Sequence, residues 1–301
     1  MPPEPLYLNQ GVDYLGFLNA KLRDLRGWST LINELVQNAD DAEGATVLTV
    51  EITDEALIVE NNGVFKDCGS IEERECRWGA RPCDFHSFRR VASGHKRNEE
   101  NTTGAFGLGF ISVYQVTDHP RLESGNWTWT LDPAEIETRR IAAVRRDQPL
   151  DATRFTLPWA IGKSRVREGL AQPPVDRADI EQLPEIFAAA LRAAAPFLRR
   201  LKTLELLRSG ARVALITRES DPAATDLLID DGESVQLWRR LVSSFDSDAA
   251  DLRTRYGTGI EEKRSSDVTV LVPHGDLPAD GLLYAYLPTQ HRIALPVLIN
   301  A

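Results

Sequence analysis

The spacing of apolar residues predicts two helices and then a β-hairpin in the first part of the chain. Leucines and aromatic residues recur at helical intervals over 12–26, and Gly27 ends that pattern. A second, half-apolar helix is predicted over about 29–44, with Ser and Thr at its start as N-cap candidates. The segment TVLTVEIT at 46–53 alternates apolar and polar residues as a half-buried strand does, and ALIVE at 56–60 predicts its partner before an Asn-Asn-Gly turn.

Strands and helices follow each other less regularly in the rest of the chain. Residues 68–97 are polar and predict short helical pieces, and a long helix is predicted over about 180–201. Strands are predicted at 126–131, 140–146, 153–159, 203–207, 212–217, 226–230, 267–272, 282–288 and 295–300. Because the order is not a regular β–α–β alternation, we predict an α+β sandwich rather than a doubly wound parallel sheet.

A domain boundary is predicted near the middle of the chain. The 301 residues suffice for two hydrophobic cores. Residues 161–175 lack periodicity and contain a double proline, so we interpret them as a linker between a first domain at 1–160 and a second α+β domain at 176–301. The closing LPVLIN is typical of a strand cut off before its turn, and we expect the second domain to continue in a longer protein.

Composition narrows the classes of function. The formal charge of −10 argues against a surface that wraps nucleic acid, although it leaves room for a local basic groove. The amino terminus lacks a signal-peptide pattern, and the most apolar stretch, IFAAALRAAAPFL, is too short and too interrupted to span a membrane. Three cysteines are too few for a disulfide framework. We therefore predict a cytoplasmic protein with no membrane partner.

The cysteines and two nearby histidines raise the question of a zinc site. Cys68, Cys76, Cys83, His86 and His95 fall within one stretch, and Cys83 and His86 are three residues apart. Structural zinc sites usually show paired Cys-x-x-Cys spacing, which this stretch lacks. The spacing therefore favours buried or incidental thiols over a metal site.

The second predicted helix carries an unusual combination of polar residues. At about 100° per residue, Glu34, Asn38 and Asp41 of INELVQNADDAEG lie within a narrow arc beside the apolar face. A carboxylate next to an amide oxygen suits a hard cation and an activated water, with Asn38 as a Mg²⁺ ligand and Glu34 as the proton acceptor. A solvated helix face explains the same spacing, so the spacing alone does not decide between them.

A glycine-rich segment supplies a second observation. TGAFGLGF places glycines at 104, 107 and 109. Glycines allow backbone N–H groups to approach phosphate oxygens without a Cβ in the way. The segment is not a Walker loop, which needs a following Gly-Lys-Ser/Thr, nor a Rossmann fingerprint, which directly follows a strand. Its combination with the helix that bears Glu34 and Asn38 predicts a phosphate-binding site.

The motifs resemble, in order, the four nucleotide-binding boxes of the GHKL ATPases, the superfamily of gyrase B, the ninety-kilodalton heat-shock chaperone, histidine kinases and MutL. The four are ELVQNADDA, ENNGVF, TTGAFGLGF and ATRFTLPW. The resemblance is strongest to the sacsin-like branch of the heat-shock-chaperone type, which FLRRLKTLELL and LPVLIN also resemble, and it spans about Gly11 to Ala301. It implies a Bergerat-fold ATP-binding domain followed by a transducer-like domain.

The resemblance also implies roles for individual residues. Glu34 would be the general base that orients the attacking water, Asn38 would bind Mg²⁺, and Asp41 would support the same helix face. Thr153 would reach the adenine side through water, and Lys96, in a mobile lid over 93–103, would contact phosphate. The remaining nucleotide-binding positions that it implies are Asn61, Gly63, Thr103, Gly104, Ala105, Phe106, Gly107, Leu108, Gly109 and Phe110.

One box departs from the family pattern. The adenine box of the family usually has the form Asp-x-Gly-x-Gly, and its Asp accepts a hydrogen bond from the adenine amino group. Asn61 stands here in place of that Asp, and Phe65 in place of the second glycine. An Asn oxygen accepts the same bond without charge assistance, so we expect weaker adenine binding.

The function implied by the resemblance is Mg²⁺-dependent ATP binding and hydrolysis by a chaperone-type module that acts as a conformational switch. We expect ATP-dependent homodimer closure and slow turnover by the isolated fragment. Two alternatives stay open: a weakly active or inactive nucleotide-binding scaffold, and a MutL- or MORC-like clamp on DNA, which the acidic charge disfavours. The cation that would contact the γ-phosphate from the second half also stays open, among Lys202, Lys263, Arg264 and Arg292.

Overall fold

The computed structural model describes residues 13–89, 109–220, 225–256, 267–275 and 280–300. The α-helices in these ranges are α1 (Tyr14–Leu22), α2 (Trp28–Asp41), α3 (Asp84–Arg89), α4 (Arg165–Leu170), α5 (Arg177–Ala194) and α6 (Asp246–Tyr256). The strands are β1 (Val47–Ile52), β2 (Ala56–Asn61), β3 (Arg121–Leu131), β4 (Ile141–Pro158), β5 (Thr203–Arg208), β6 (Ala211–Ser220), β7 (Asp226–Asp230), β8 (Val235–Ser244), β9 (Asp267–Pro273), β10 (Gly281–Ala285), β11 (Leu287–Ile293) and β12 (Leu298–Asn300). The same described ranges also contain the 3-10 helices Gly109–Gln115, Glu137–Arg139 and Ala195–Phe197.

The described strands form one mixed sheet in the order β11-β10-β12-β9-β8-β7-β6-β5-β1-β2-β4-β3. The pairs β1–β5 and β10–β12 are parallel, and the other neighbouring pairs are antiparallel. Helix α5 packs against α2 and also contacts β1, β5 and β6. The combination of a large mixed sheet with packed helices confirms the α+β class that the sequence predicts. None of the helices in the described part of the chain is long and apolar enough to cross a membrane.

Helix α2 forms where the apolar spacing predicts it. It begins after Gly27, whose φ of 105° favours glycine, and it ends at Asp41, before the predicted end at Gly44. Its buried apolar residues recur at helical intervals and face the core: Leu31, Ile32, Leu35, Val36 and Ala39. The opposite side of the helix is consequently left to polar residues.

Strand β1 occupies a central position between an early and a late part of the chain. The predicted alternation is confirmed, since Leu48, Val50 and Ile52 are fully buried. On one side β1 pairs with its hairpin partner β2, and on the other it pairs in parallel with β5. The centre of the sheet is therefore built from strands of both halves of the chain.

Some predicted elements differ from those observed. The sequence predicts two strands at 140–146 and 153–159, whereas the structure has the single long strand β4, which pairs with β3 through two register shifts next to Gly125. Neither β8 nor α6 was predicted, because β8 is largely exposed and α6 is polar, so neither has a clear apolar stripe.

The predicted linker at 161–175 contains the short helix α4. The Ser164 side chain caps this helix by accepting a hydrogen bond from the N–H of Arg167 at 3.0 Å, and α4 packs against α1. The division into domains at 1–160 and 176–301 stays a prediction. Any boundary between them has to accommodate α5 and β5, which pack against α2 and β1.

Candidate functional site

Glu34, Asn38 and Asp41 form what we call the polar face of α2. The three side chains are half-buried and lie along one border of the buried apolar face of the helix. At 1.5 Å per residue, Glu34 and Asp41 are about 10 Å apart along the helix axis. The face is therefore long enough to contact several groups of one extended ligand.

Gly109 lies directly against the amino-terminal part of this face. A Cβ at residue 109 would overlap the Glu34 carboxylate, so the two groups fit together only because residue 109 has no side chain. From Gly109 the chain continues as the 3-10 helix Gly109–Gln115, which packs against α2. The structure thus places the end of the glycine-rich segment beside Glu34, and the roles of both residues stay predictions.

Several predicted positions fall where the chain is not described. The predicted lid at 93–103 lies outside the described residues, and so do Lys96, Thr103, Gly104, Ala105, Phe106, Gly107 and Leu108. Two of the cations considered for the γ-phosphate, Lys263 and Arg264, lie outside them as well. Of the other two, Lys202 is exposed and directly precedes β5, and Arg292 pairs with Asp280 at 3.9 Å.

Two side chains hold the 3-10 helix against its neighbours. Gln115 accepts a hydrogen bond from the N–H of Gly27 at 2.8 Å and donates one to the carbonyl of Leu25 at 2.6 Å, so it ties the helix to the start of α2. Arg167 donates to backbone carbonyls at the end of the 3-10 helix and pairs with Asp118. Burial lowers the pKa of the Arg167 guanidinium, and the Asp118 carboxylate opposes that shift. Sequence reasoning missed Arg167 because it lies in the predicted linker.

The other end of the candidate site is formed where β2 and β4 pair. Asn61 and Thr153 lie opposite each other in the antiparallel register, and their side chains are 6% and 1% exposed. The Thr153 hydroxyl is 2.8 Å from the Ser124 hydroxyl. Ser124 donates its own hydrogen to the carbonyl of Ala152 at 3.0 Å, so Thr153 must be the donor to Ser124. The Thr153 oxygen can therefore act toward other groups as an acceptor.

Gly63 brings the end of β2 against the end of α2. Its N–H donates a hydrogen bond to the Asn61 side-chain oxygen at 2.9 Å. A Cβ at residue 63 would lie 3.2 Å from the carbonyl oxygen of Glu43, closer than side chains normally approach backbone. An amide oxygen has two lone pairs, so Asn61 can accept this bond and one more.

Phe65 and Phe110, both singled out by sequence, point into an aromatic cluster. The Phe65 ring lies 5.3 Å from Phe85 and 6.4 Å from Phe155, and the Phe110 ring lies 4.8 Å from Phe88 and 5.1 Å from Phe155. The members of this aromatic cluster are Phe65, Phe85, Phe88, Phe110, Trp129 and Phe155. The bulk of Phe65, where the family pattern has glycine, is accommodated in this cluster.

A buried carboxylate that the sequence did not reveal fixes α2 to the later part of the chain. Asp40 is fully buried and accepts hydrogen bonds from the backbone N–H groups of Arg199, Arg200 and Leu201 at 2.7–2.9 Å and from the Tyr286 hydroxyl. Burial and the neighbouring Asp40 carboxylate raise the pKa of Tyr286. Asp40 therefore connects the helix that carries the polar face to the loop before β5 and to the turn between β10 and β11.

The candidate site combines three kinds of group. The polar face of α2 supplies oxygen atoms that can ligate a metal, Asn61 and Thr153 supply hydrogen-bond acceptors, and Gly109 lies against Glu34. The Glu34 carboxylate and the Asn38 amide lie one turn apart. Oxygen ligands of this kind suit Mg²⁺, and a carboxylate beside them suits proton transfer from water.

Comparisons with known proteins agree with the resemblance seen in the motifs. Residues 13–145 match the family model described as "Sacsin domain". Sacsin of Homo sapiens is 32% identical over 136 residues, which cover 39% of this chain and 3% of that protein. The resemblance to sacsin is thereby confirmed for the amino-terminal part of the chain. The match spans only a small fraction of that relative's length.

One solved structure that matches the chain is the ATPase region of Saccharomyces cerevisiae topoisomerase II. The TM-score is 0.42 at 12% sequence identity, and the match covers 85% of this chain and 60% of that one. This likeness is weak, and the fold class rests on the observed sheet and helices.

Proposed function

We propose that this chain binds ATP with Mg²⁺ along the polar face of α2 and hydrolyses it, as the nucleotide-driven switch of a larger chaperone-type protein. The observation that carries the proposal is the contact between Gly109 and Glu34. It joins the two motifs that resemble GHKL ATPases, and the sacsin-domain match covers the same residues. A solvated helix face gives no reason for a glycine-rich segment to end against its carboxylate.

The donor set of the polar face fits magnesium. Mg²⁺ prefers oxygen ligands in octahedral geometry and is usually held by one or two protein oxygens together with phosphate oxygens and waters. Asn38 would hold the ion through its amide oxygen, with Asp41 one turn further along the same face. When bound, the ion would neutralise charge on the phosphates.

Glu34 is the candidate general base. A carboxylate that accepts a proton from the attacking water contributes a factor of about 10²–10⁴ to the rate. The side chain sits where the glycine-rich segment ends, so a terminal phosphate bound by that segment would lie near it. The role assigned to Glu34 by resemblance thus agrees with its surroundings.

Asn61 and Thr153 would recognise the base. The Asn61 oxygen can accept one hydrogen bond beyond the one from Gly63, which suits the adenine amino group. Thr153 donates to Ser124, so its oxygen can accept a hydrogen bond from a water that bridges to the base. Both side chains are buried, and each is held by a hydrogen bond to a neighbouring residue.

The nucleotide signal would reach the carboxyl-terminal half through Asp40. This residue precedes Asp41 of the polar face and is bonded to the loop before β5 and to Tyr286. A shift of α2 on ATP binding or hydrolysis would therefore move both of these segments. We also propose that two ATP-bound chains close into a homodimer.

Titration calorimetry of the full chain with a non-hydrolysable ATP analogue, with and without Mg²⁺, tests this function. We expect micromolar, Mg²⁺-dependent binding that Asn38→Ala weakens at least tenfold. Gln236→Ala, which truncates an exposed amide on β8, is the control and should bind normally. Absence of binding by the folded wild-type chain would favour an inactive scaffold, and a salt-dependent DNA shift without ATP binding would favour a clamp.

A further inference from the structure

Three thiols and one imidazole come together in the structure, although they are spread over residues 68–86 of the chain. They are Cys68, Cys76, Cys83 and His86. We call these four residues the Cys–His cluster. Their ligand atoms all lie within 4.8 Å of one another, and the last three residues are buried. The sequence predicts buried or incidental thiols; Cys76 and Cys83 are buried and Cys68 is half-buried, and all three converge on one point. His95, the fifth candidate, lies outside the described residues.

We propose that the Cys–His cluster binds one structural zinc ion. Tetrahedral zinc with bonds of about 2.0 Å to nitrogen and about 2.3 Å to sulfur places nitrogen and sulfur roughly 3.6 Å apart. The His86 Nδ1 atom lies 3.1 Å from Cys83 Sγ and 3.6 Å from Cys68 Sγ. With Cys76 Sγ also within 4.8 Å of the other ligand atoms, three sulfurs and one nitrogen supply the four ligands of a structural zinc site.

The tautomer of His86 leaves Nδ1 suited to a metal. Its Nε2 atom lies 3.2 Å from the carbonyl oxygen of Glu73, which can only accept a hydrogen bond. In the neutral ring the proton is therefore on Nε2, and the Nδ1 lone pair points at the sulfurs. Zinc-ligating histidines commonly donate their other N–H to a carbonyl in this way.

The surrounding backbone supports the cluster as metal sites require. The N–H of Cys83 donates to Cys76 Sγ at 3.2 Å, a bond that stabilises a thiolate. Arg89 donates hydrogen bonds to the carbonyls of Ile71 and Glu73. It thereby holds the Glu73 carbonyl, which accepts the hydrogen bond from His86 Nε2. Each of these contacts orients a ligand or its immediate partner.

The Cys–His cluster lies in and next to a long irregular segment that a metal ion would stabilise. Residues 62–83 contain neither helix nor strand, and α3 follows them directly at Asp84. Irregular segments of this length are uncommon in compact domains without some additional constraint. A zinc ion would tie the segment to α3, which carries Phe85 and Phe88 of the aromatic cluster. Since four protein ligands fill the tetrahedron, the site would be structural and not catalytic.

A disulfide is the competing use of the same thiols. A disulfide joins only two sulfurs, at about 2.05 Å. It would not explain why the third thiol and the imidazole lie beside them. All three cysteines are free in the structure. The unprotonated Nδ1 of His86 lies beside the thiols, which a metal site requires and a disulfide does not. This favours a metal site over a disulfide.

Metal analysis of the purified full chain, without added metal or nucleotide, tests the proposal. We expect about one zinc per chain, which Cys83→Ser removes and His86→Gln reduces at least tenfold at limiting zinc. His291→Gln, at an exposed histidine, is the matched control and should retain the ion. Zinc that survives both cluster substitutions would be bound elsewhere and would overturn the proposal.

A second measurement covers the case in which the variants do not fold. Wild-type chain stripped of metal under reducing conditions is titrated with Co²⁺, whose visible absorption reports tetrahedral thiolate coordination. We expect one equivalent to produce that absorption and zinc to displace it, with a gain in Tm of about 10 °C on zinc binding. A folded chain that shows no cobalt–thiolate band would overturn the proposal. A purified chain whose mass is lower by two hydrogens, because two of the thiols have formed a reducible disulfide, would overturn it as well. Both readouts are independent of ATP and Mg²⁺, so they separate failure of this site from failure of the ATPase.

Discussion

Two faces of α2 carry carboxylates in opposite surroundings. On one face, Asp40 is fully buried and accepts four hydrogen bonds from distant parts of the chain. On the polar face, Glu34 is half-buried and lies against Gly109. A buried carboxylate surrounded by donors contributes to stability, whereas one beside a glycine-rich segment is placed to act on a ligand. Asp40 therefore holds the fold, whereas the chemical role that we propose for Glu34 lies on the other face of the same helix.

The sharpest test of this comparison is Glu34→Gln. We expect ATP hydrolysis to fall about 10²–10⁴-fold because the general base is lost, while the free energy of unfolding changes by less than about 0.5 kcal/mol. Phosphate release and urea denaturation measure the two effects. Glu137→Gln, at an exposed position, is the control. An unchanged rate would remove Glu34 from the chemistry and leave the two faces equivalent.

Asp40→Asn is expected to have the converse effect. The amide cannot replace a charged acceptor for three backbone N–H groups and a phenol, so the free energy of unfolding should fall by about 4 kcal/mol. Urea denaturation of this variant beside Asp24→Asn, an exposed control, gives the measurement. A loss of less than about 1 kcal/mol would show that the buried face does not depend on the carboxylate.

Arg167→Met tests whether the polar face depends on its supports. The substitution leaves Asp118 without its charged partner, although the Ser164 hydroxyl still donates to it, and removes a donor from three carbonyls. We therefore expect a loss of about 3 kcal/mol in the free energy of unfolding. ATP binding should weaken as well, because Gly109–Gln115 is held less firmly. Arg165→Met, exposed on the same helix, should be neutral in thermal and urea denaturation. Equal stability of the two variants would contradict the assigned role.

Asn61→Asp is expected to produce the smallest change, at the base end of the site. A carboxylate accepts a hydrogen bond from the adenine amino group with charge assistance, so ATP should bind about 3–10-fold more tightly. GTP has no amino group at that position and should show no such gain. Competition titrations with the two nucleotides measure the ratio. Equal gains for both would mean that Asn61 does not contact the base.

The parts of the molecule that were predictable from sequence depend on local periodicity. The apolar stripe of α2 and the alternation of β1 follow directly from residue spacing, and both are confirmed. The arc that contains Glu34, Asn38 and Asp41 follows from the same geometry, although their chemical roles stay predictions. The glycines and Thr153 were recognisable through resemblance more than through any physical rule.

The features that sequence reasoning missed depend on contacts between distant residues. Asp40 lies roughly 120° around the helix from Glu34, at the margin of the apolar arc, where an unpaired carboxylate would be costly to bury. That position was a usable signal, but its partners around 199–201 and at Tyr286 could not be inferred from spacing. The Cys–His cluster was missed for the same reason, since an irregular chain brings together residues whose intervals show no pattern.

The parallel pairing of β1 with β5 has a consequence for synthesis of the protein on the ribosome. Residues 47–52 have no partner on that side until residues 203–208 have been made. At about 5–20 residues per second, the early strand waits roughly 8–30 s for its late partner. During that interval the nascent chain exposes a hydrogen-bonding edge and the Asp40 carboxylate has none of its final donors, so we expect the growing chain to be most vulnerable to aggregation then.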